Sequence, residues 1–103
     1  MKFLKKLNKL KLAFISGATK GIGRSTAITF ANAGWDLILL SRKMDLLEKL
    51  KSELLTTKSK ISLVKCDLSN PFGIDNCVGE AIEKYGCPSV LINNAGCAFN
   101  ESL

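Results

Sequence analysis

Apolar residues fall along this chain in short dense runs separated by longer stretches of helical spacing. The first run, within residues 10–16, is almost unbroken, as expected of a parallel strand covered on both faces. From Ile22 to Ala33 the pattern changes. Ile22, Thr26, Thr29, Phe30 and Ala33 recur at one helix face, which predicts that this face is the buried one, and Gly34 supplies a stop. A second dense run covers 36–41, followed by a helical segment over 43–55 with Leu46, Leu47, Leu50 and Leu54 as its expected buried face. A third strand is predicted over 61–66. Ser69-Asn70-Pro71 then reads as the start of a helix, with a capping residue ahead of proline, and Ile74, Val78, Ala81, Ile82 and Tyr85 share its face. Gly86 and Pro88 end that helix, and a fourth strand is expected over 89–93.

Strands that alternate with helices in the order βαβαβαβ imply an α/β fold with a parallel sheet and right-handed crossovers. The expected spatial order is 3-2-1-4, half of a doubly wound sheet. In such a sheet the chain reverses direction between strands 1 and 4, and ligands bind in the crevice at that point. The loops that follow these two strands are Ser16-Gly17-Ala18-Thr19-Lys20-Gly21-Ile22-Gly23-Arg24 and Asn93-Asn94-Ala95-Gly96. The first has the composition of a phosphate-binding turn. Glycines allow the backbone close to an anion, and the helix start offers unpaired N–H groups and the positive end of its dipole. A glycine turn needed only for tight packing is the alternative.

Composition narrows the function. The 103 residues allow one domain, read as a basic leader over 1–9 and a binding portion over 10–103. The net charge of +6 comes largely from Lys2, Lys5, Lys6, Lys9 and Lys11, so the body is nearly neutral and a nucleic-acid interface is not expected. The leader lacks a continuous apolar core for a signal peptide, and no apolar stretch is long enough for a membrane span, so the expected location is cytoplasmic. Cys66, Cys77, Cys87 and Cys97 show no CxxC spacing, and histidine is absent. No metal site is expected, and histidine-based catalysis is ruled out.

At these motifs the chain resembles the short-chain dehydrogenase/reductase family. Residues 16–23 look like its TGxxxGIG turn with serine in place of the leading threonine, Asn93-Asn94-Ala95-Gly96 is identical to its NNAG motif, and Asp67-Leu68 matches its acidic motif after strand 3. The resemblance implies a Rossmann-type fold, of which this chain holds the first half. It implies that Gly17, Gly21, Ile22 and Gly23 wrap a pyrophosphate, with Thr19 and Lys20 in the same turn. By the same resemblance Asp67 holds the adenine amino group and Leu68 lines the adenine pocket. Asn94, Ala95 and Gly96 lie along the nicotinamide ribose, and Asn93 braces the sheet. The implied activity is hydride transfer between a nicotinamide dinucleotide and a carbonyl or alcohol.

Cofactor choice follows from charge. NAD selection requires a carboxylate at the end of strand 2. Ser41-Arg42-Lys43 stands there instead, and Arg42 together with Lys20 suits a 2′-phosphate, so NADP(H) is favoured over NAD(H). The family's proton donor is a Tyr-x-x-x-Lys pair assisted by serine. The one tyrosine here, Tyr85, is followed four residues later by Ser89, so no catalytic residue is expected in this chain. Three readings remain: part of a full reductase, a truncated inactive product, or a binding module without catalysis. Val90-Leu91-Ile92 would form an apolar edge, so marginal stability and no defined oligomer are expected of these residues alone.

Overall fold

The computed structural model describes residues 11–67 and 71–93, excluding the side chains of Pro71 and Ile74. Ser69, Asn70 and Ile74, used above to predict the third helix, fall in whole or in part outside that description. Seven elements follow one another: β1 (Leu12–Ser16), α1 (Gly21–Asn32), β2 (Asp36–Ser41), α2 (Met44–Glu53), β3 (Ile61–Lys65), α3 (Pro71–Tyr85) and β4 (Val90–Asn93). They form one parallel sheet in the order β3-β2-β1-β4. This is the α/β arrangement expected from the sequence, and each boundary lies within two residues of its prediction.

The central strands β1 and β2 are dense in apolar residues because both of their faces are covered. Alternate residues serve opposite faces. Ala13, Ile15, Leu37 and Leu39 pack with Ala27 and Ala31 of α1 and with Leu47 and Leu50 of α2. Leu12, Phe14, Ile38 and Leu40 pack on the other face with Ala81 of α3, against which Val78, Ile82 and Tyr85 are partly buried. Phe14, Ile15, Leu37, Leu39, Leu40 and Leu47 are essentially inaccessible, each worth about 1.5–3 kcal/mol of burial.

Two predicted helix faces need correction. In α1 the residues turned to the sheet are Gly23, Ala27 and Ala31, whereas Ile22, Thr29 and Ala33 are exposed, with Ile22 66% accessible. Small side chains let this helix lie close to β1 and β2, and a larger residue on that face would hold it off. Phe30 does contribute, stacking edge-on against Trp35 with ring centroids 5.0 Å apart. In α2, Leu47, Leu50 and Leu54 are buried as expected, but Leu46 is 37% exposed beside the glycine turn. Among the described residues β4 pairs with β1 alone, and Leu91 on it is 54% exposed while Val90 and Ile92 pack against the core.

Candidate functional site

The site is built where β1 and β4 end side by side. Ser16 and Asn93 are register partners, and the buried Ser16 hydroxyl donates to Asn93 Oδ1 at 2.9 Å and lies 3.4 Å from the Ile92 carbonyl. This bond ties the ends of β1 and β4 to each other. The glycine turn leaves from the same point. The Gly17 N–H donates to the Leu40 carbonyl at 3.1 Å, which ties the turn to β2, and Ala18 is fully buried beneath it.

Gly17 and Gly21 have φ of +62° and +60°, a left-handed conformation that ordinary side chains avoid. A Cβ at Gly21 would meet nothing within 4 Å, so the glycine is required by the backbone and the space before it is open. α1 starts at this residue. Lys20 precedes it in extended conformation, no side chain caps the helix, and its first turn contains no acidic residue. Among the described residues the helix start therefore presents its N–H groups and dipole with no carboxylate in its own first turn, which suits an anion. Gly23 is buried, where it allows the close approach of α1 to the sheet.

The outlets of β2 and β3 complete the same edge. Ser41 is buried, and its hydroxyl accepts from the Lys43 N–H at 3.2 Å. This small turn projects Arg42 and Lys43, both exposed, from the end of the strand. Lys20 is exposed and Thr19 half-buried in the glycine turn. Cys66 and Asp67 follow β3, tied to β2 by the Cys66 N–H on the Ser41 carbonyl at 3.0 Å. Burial, the thiol hydrogen bond to Cys77, and the negative charges of Cys77 and Asp67 push the Cys66 thiol up to about 12.

Gly17, Thr19, Lys20, Gly21, Ile22, Gly23, Arg42 and Asp67 thus lie in the loops or helix start at the carboxyl edge of the sheet. Leu68, Asn94, Ala95 and Gly96 lie outside the described residues. Tyr85 is half-buried in the cluster beneath α3, with Lys84 Nζ 5.3 Å from its ring centroid. It lines a depression of about 150 Å³ at the opposite edge, together with Leu12, Asp36, Lys60 and Ser62. That hollow is remote from the glycine turn. No group of three or more metal-ligating side chains occurs among the described residues, and no helix among them is long and apolar enough to cross a membrane.

The sequence reading did not anticipate two contacts. The motif explains Ser16 only as a substitute for the leading threonine, although its level with Asn93 follows from the 3-2-1-4 order. Arg24 of α1 forms an ion pair with Glu53 of α2, and nothing in either helix's own spacing brings those positions together.

Residues 11–103 match the family model described as short chain dehydrogenase. The chain belongs to the short chain dehydrogenase family. Among its relatives are sulfoacetaldehyde reductase from Chromohalobacter salexigens, 39% identical over 86 residues, and oxidoreductase UcpA from Escherichia coli, 40% identical over 86 residues. Each alignment takes in 84% of this chain but only 34% and 32% of the relative, so this short chain dehydrogenase sequence spans about a third of their length. Solved structures agree. The alcohol dehydrogenase from Thermococcus sibiricus complexed with 5-hydroxy-NADP superposes with a TM-score of 0.72 at 30% identity, covering 79% of this chain and 35% of that one. L-sorbose reductase from Gluconobacter frateurii, complexed with NADPH and L-sorbose, gives 0.71 at 29% identity, covering 79% and 31%.

Proposed function

We propose that this chain is the NADP(H)-binding portion of a short chain dehydrogenase that interconverts a carbonyl and an alcohol. The observation that carries the reading is the left-handed glycine turn opening α1 at the carboxyl end of a central strand, with Arg42 rather than a carboxylate after β2. Structural relatives complexed with NADPH or a hydroxylated NADP support it.

The residues fit such a ligand. Gly17, Gly21, Ile22 and Gly23 hold the pyrophosphate through backbone N–H groups, and the open space before Gly21 leaves room for it. Thr19 and Lys20 flank it from the same turn. Lys20 and Arg42 neutralise the 2′-phosphate, Arg42 in bidentate fashion. Asp67 and Leu68 hold the adenine, and Asn94, Ala95 and Gly96 line the nicotinamide ribose. When bound, the cofactor supplies or accepts the hydride. These residues orient it and contribute no acid or base, since Tyr85 is committed to packing. They bind without turnover by themselves, and substrate would be engaged only by a longer chain that contains them. A cytoplasmic location goes with this reading.

Titration of the purified chain with NADPH and NADH, followed by nicotinamide fluorescence, tests it. Saturable NADPH binding is expected. Arg42→Asp should weaken NADPH about tenfold or more, the loss of a charged hydrogen-bonded pair, and leave NADH within about twofold. Equal losses for both would refute the assignment of Arg42.

A further inference from the structure

Cys66 leaves β3 and Cys77 lies in the second turn of α3. Each sulfur reaches a carbonyl of the other's element. Cys66 Sγ is 3.9 Å from the Gly73 carbonyl in α3, and Cys77 Sγ is 3.9 Å from the Lys65 carbonyl at the end of β3. These crossed contacts hold the strand end against the helix and place the two thiols in one neighbourhood. Cys66 is buried and Cys77 half-buried, so a small oxidant reaches the pair through Cys77. Asp67 is the next residue after Cys66 and lies inside the ring that a bond between the two would close.

We propose that Cys66 and Cys77 are an oxidisable dithiol, a modification site whose closure by a peroxide loosens the grip of Asp67 on the adenine. The second clause rests on the cofactor reading above, and the first does not. The Cys77 sulfur attacks one oxygen of the peroxide, the O–O bond breaks, and the other oxygen leaves as water with the proton of the Cys77 thiol. The Cys66 sulfur then attacks the Cys77 sulfenic acid. The S–S bond forms, the S–O bond breaks, and a second water carries away the Cys66 proton. Two thiols lose two electrons, and the peroxide gains them. Cys77 is the entry point because it is the half-buried sulfur of the pair, and the buried Cys66 is the resolving partner. A disulfide needs sulfurs about 2.05 Å apart, closer than two unbonded sulfurs can approach, so closure must draw the end of β3 and α3 together and move Asp67.

The reduced full chain is treated with hydrogen peroxide, alkylated, digested with trypsin and weighed. Residues 66–84 are released as one peptide that carries both thiols, and residues 85–103 as another that carries Cys87 and Cys97. Supporting results are loss of two hydrogens from the 66–84 peptide with both its cysteines refusing alkylation, recovery with dithiothreitol, and full alkylation of the 85–103 peptide. Linkage through Cys87 or Cys97, or oxidation of Cys77 without a bond to Cys66, overturns the pair. Oxidised chain should bind NADPH several-fold more weakly than reduced chain, and Cys77→Ser should bind equally before and after peroxide. A disulfide that leaves affinity unchanged overturns the coupling to Asp67. Failure of the reduced chain to bind NADPH counts against the cofactor reading, and the peptide masses then decide the thiol pair by themselves.

Discussion

Three glycines that have equal room for a methyl group should respond to alanine in three different ways. Gly21, Gly34 and Gly79 would each place a Cβ in open space, so steric overlap is not a variable. Gly21 and Gly34 have φ of +60° and +87°, whereas Gly79 lies within α3 with no such conformation. Forcing an L-residue into the left-handed region costs about 1–2 kcal/mol, partly offset by the lower entropy of the unfolded alanine chain, so each of the first two changes should cost about 1 kcal/mol net. At Gly79 the sign reverses. Alanine in an exposed helix interior should stabilise by about 0.5–1 kcal/mol. In a domain of this size 1 kcal/mol moves the melting temperature by roughly 4–8 °C, which circular dichroism resolves. Binding separates the first two. Gly34 is far along the chain from the turn, at the other end of α1, so Gly34→Ala should lose stability and keep its NADPH affinity. Gly21→Ala should lose a similar amount of stability and also about tenfold or more in affinity, because the methyl stands where the pyrophosphate must approach. The reasoning fails if Gly79→Ala destabilises, or if Gly34→Ala weakens NADPH binding as much as Gly21→Ala does.

Two other outcomes follow from single contacts. Ser16→Ala removes the donor to Asn93 Oδ1 and should cost about 1 kcal/mol, read as faster amide exchange in β4, while Ser16→Thr keeps the donor and should leave exchange unchanged. The raised Cys66 thiol makes stability fall at alkaline pH. Its contribution is complete below the ordinary value of 9.0, where both states are protonated, and is lost as pH rises towards about 12, because the unfolded chain gives up the proton first. Urea denaturation at pH 8 and pH 10 should show the parent chain losing about 1 kcal/mol more than Cys66→Ala between the two. Equal losses would show that the burial of this thiol is energetically silent.

The central strands were readable in the sequence because both of their faces are covered, which turns them into apolar runs such as Leu37-Ile38-Leu39-Leu40. The order of the strands followed from topology rules, and the glycine turn from its spacing. The buried face of α1 was not readable. Hydrophobic periodicity favours large apolar residues, but a helix pressed against a sheet uses Gly23, Ala27 and Ala31 at the contact and leaves Ile22 outside. Leu46 misled for a related reason, since an apolar residue beside the glycine turn has a surface to rest on without being enclosed. Within the site, residues that act through backbone conformation were legible, because only glycine serves there. Contacts such as Arg24 with Glu53 and Cys66 with Cys77 were not, because they depend on how separate elements face each other in space.

The position of β4 sets an order of assembly. β1 pairs with β2 across 24 residues, from Leu12 to Asp36, but it meets β4 only across 77, from Ser16 to Asn93. Closing the longer loop costs more chain entropy, so the pairing of β1, β2 and β3 can precede the arrival of β4. As the chain emerges from a ribosome, amino end first, the β1 side of the proposed site exists before the β4 side does. On the proposed reading, a dinucleotide that touches both sides would bind only after that last strand has docked. By mass action it would then favour this late pairing, so that ligand and fourth strand hold each other in place.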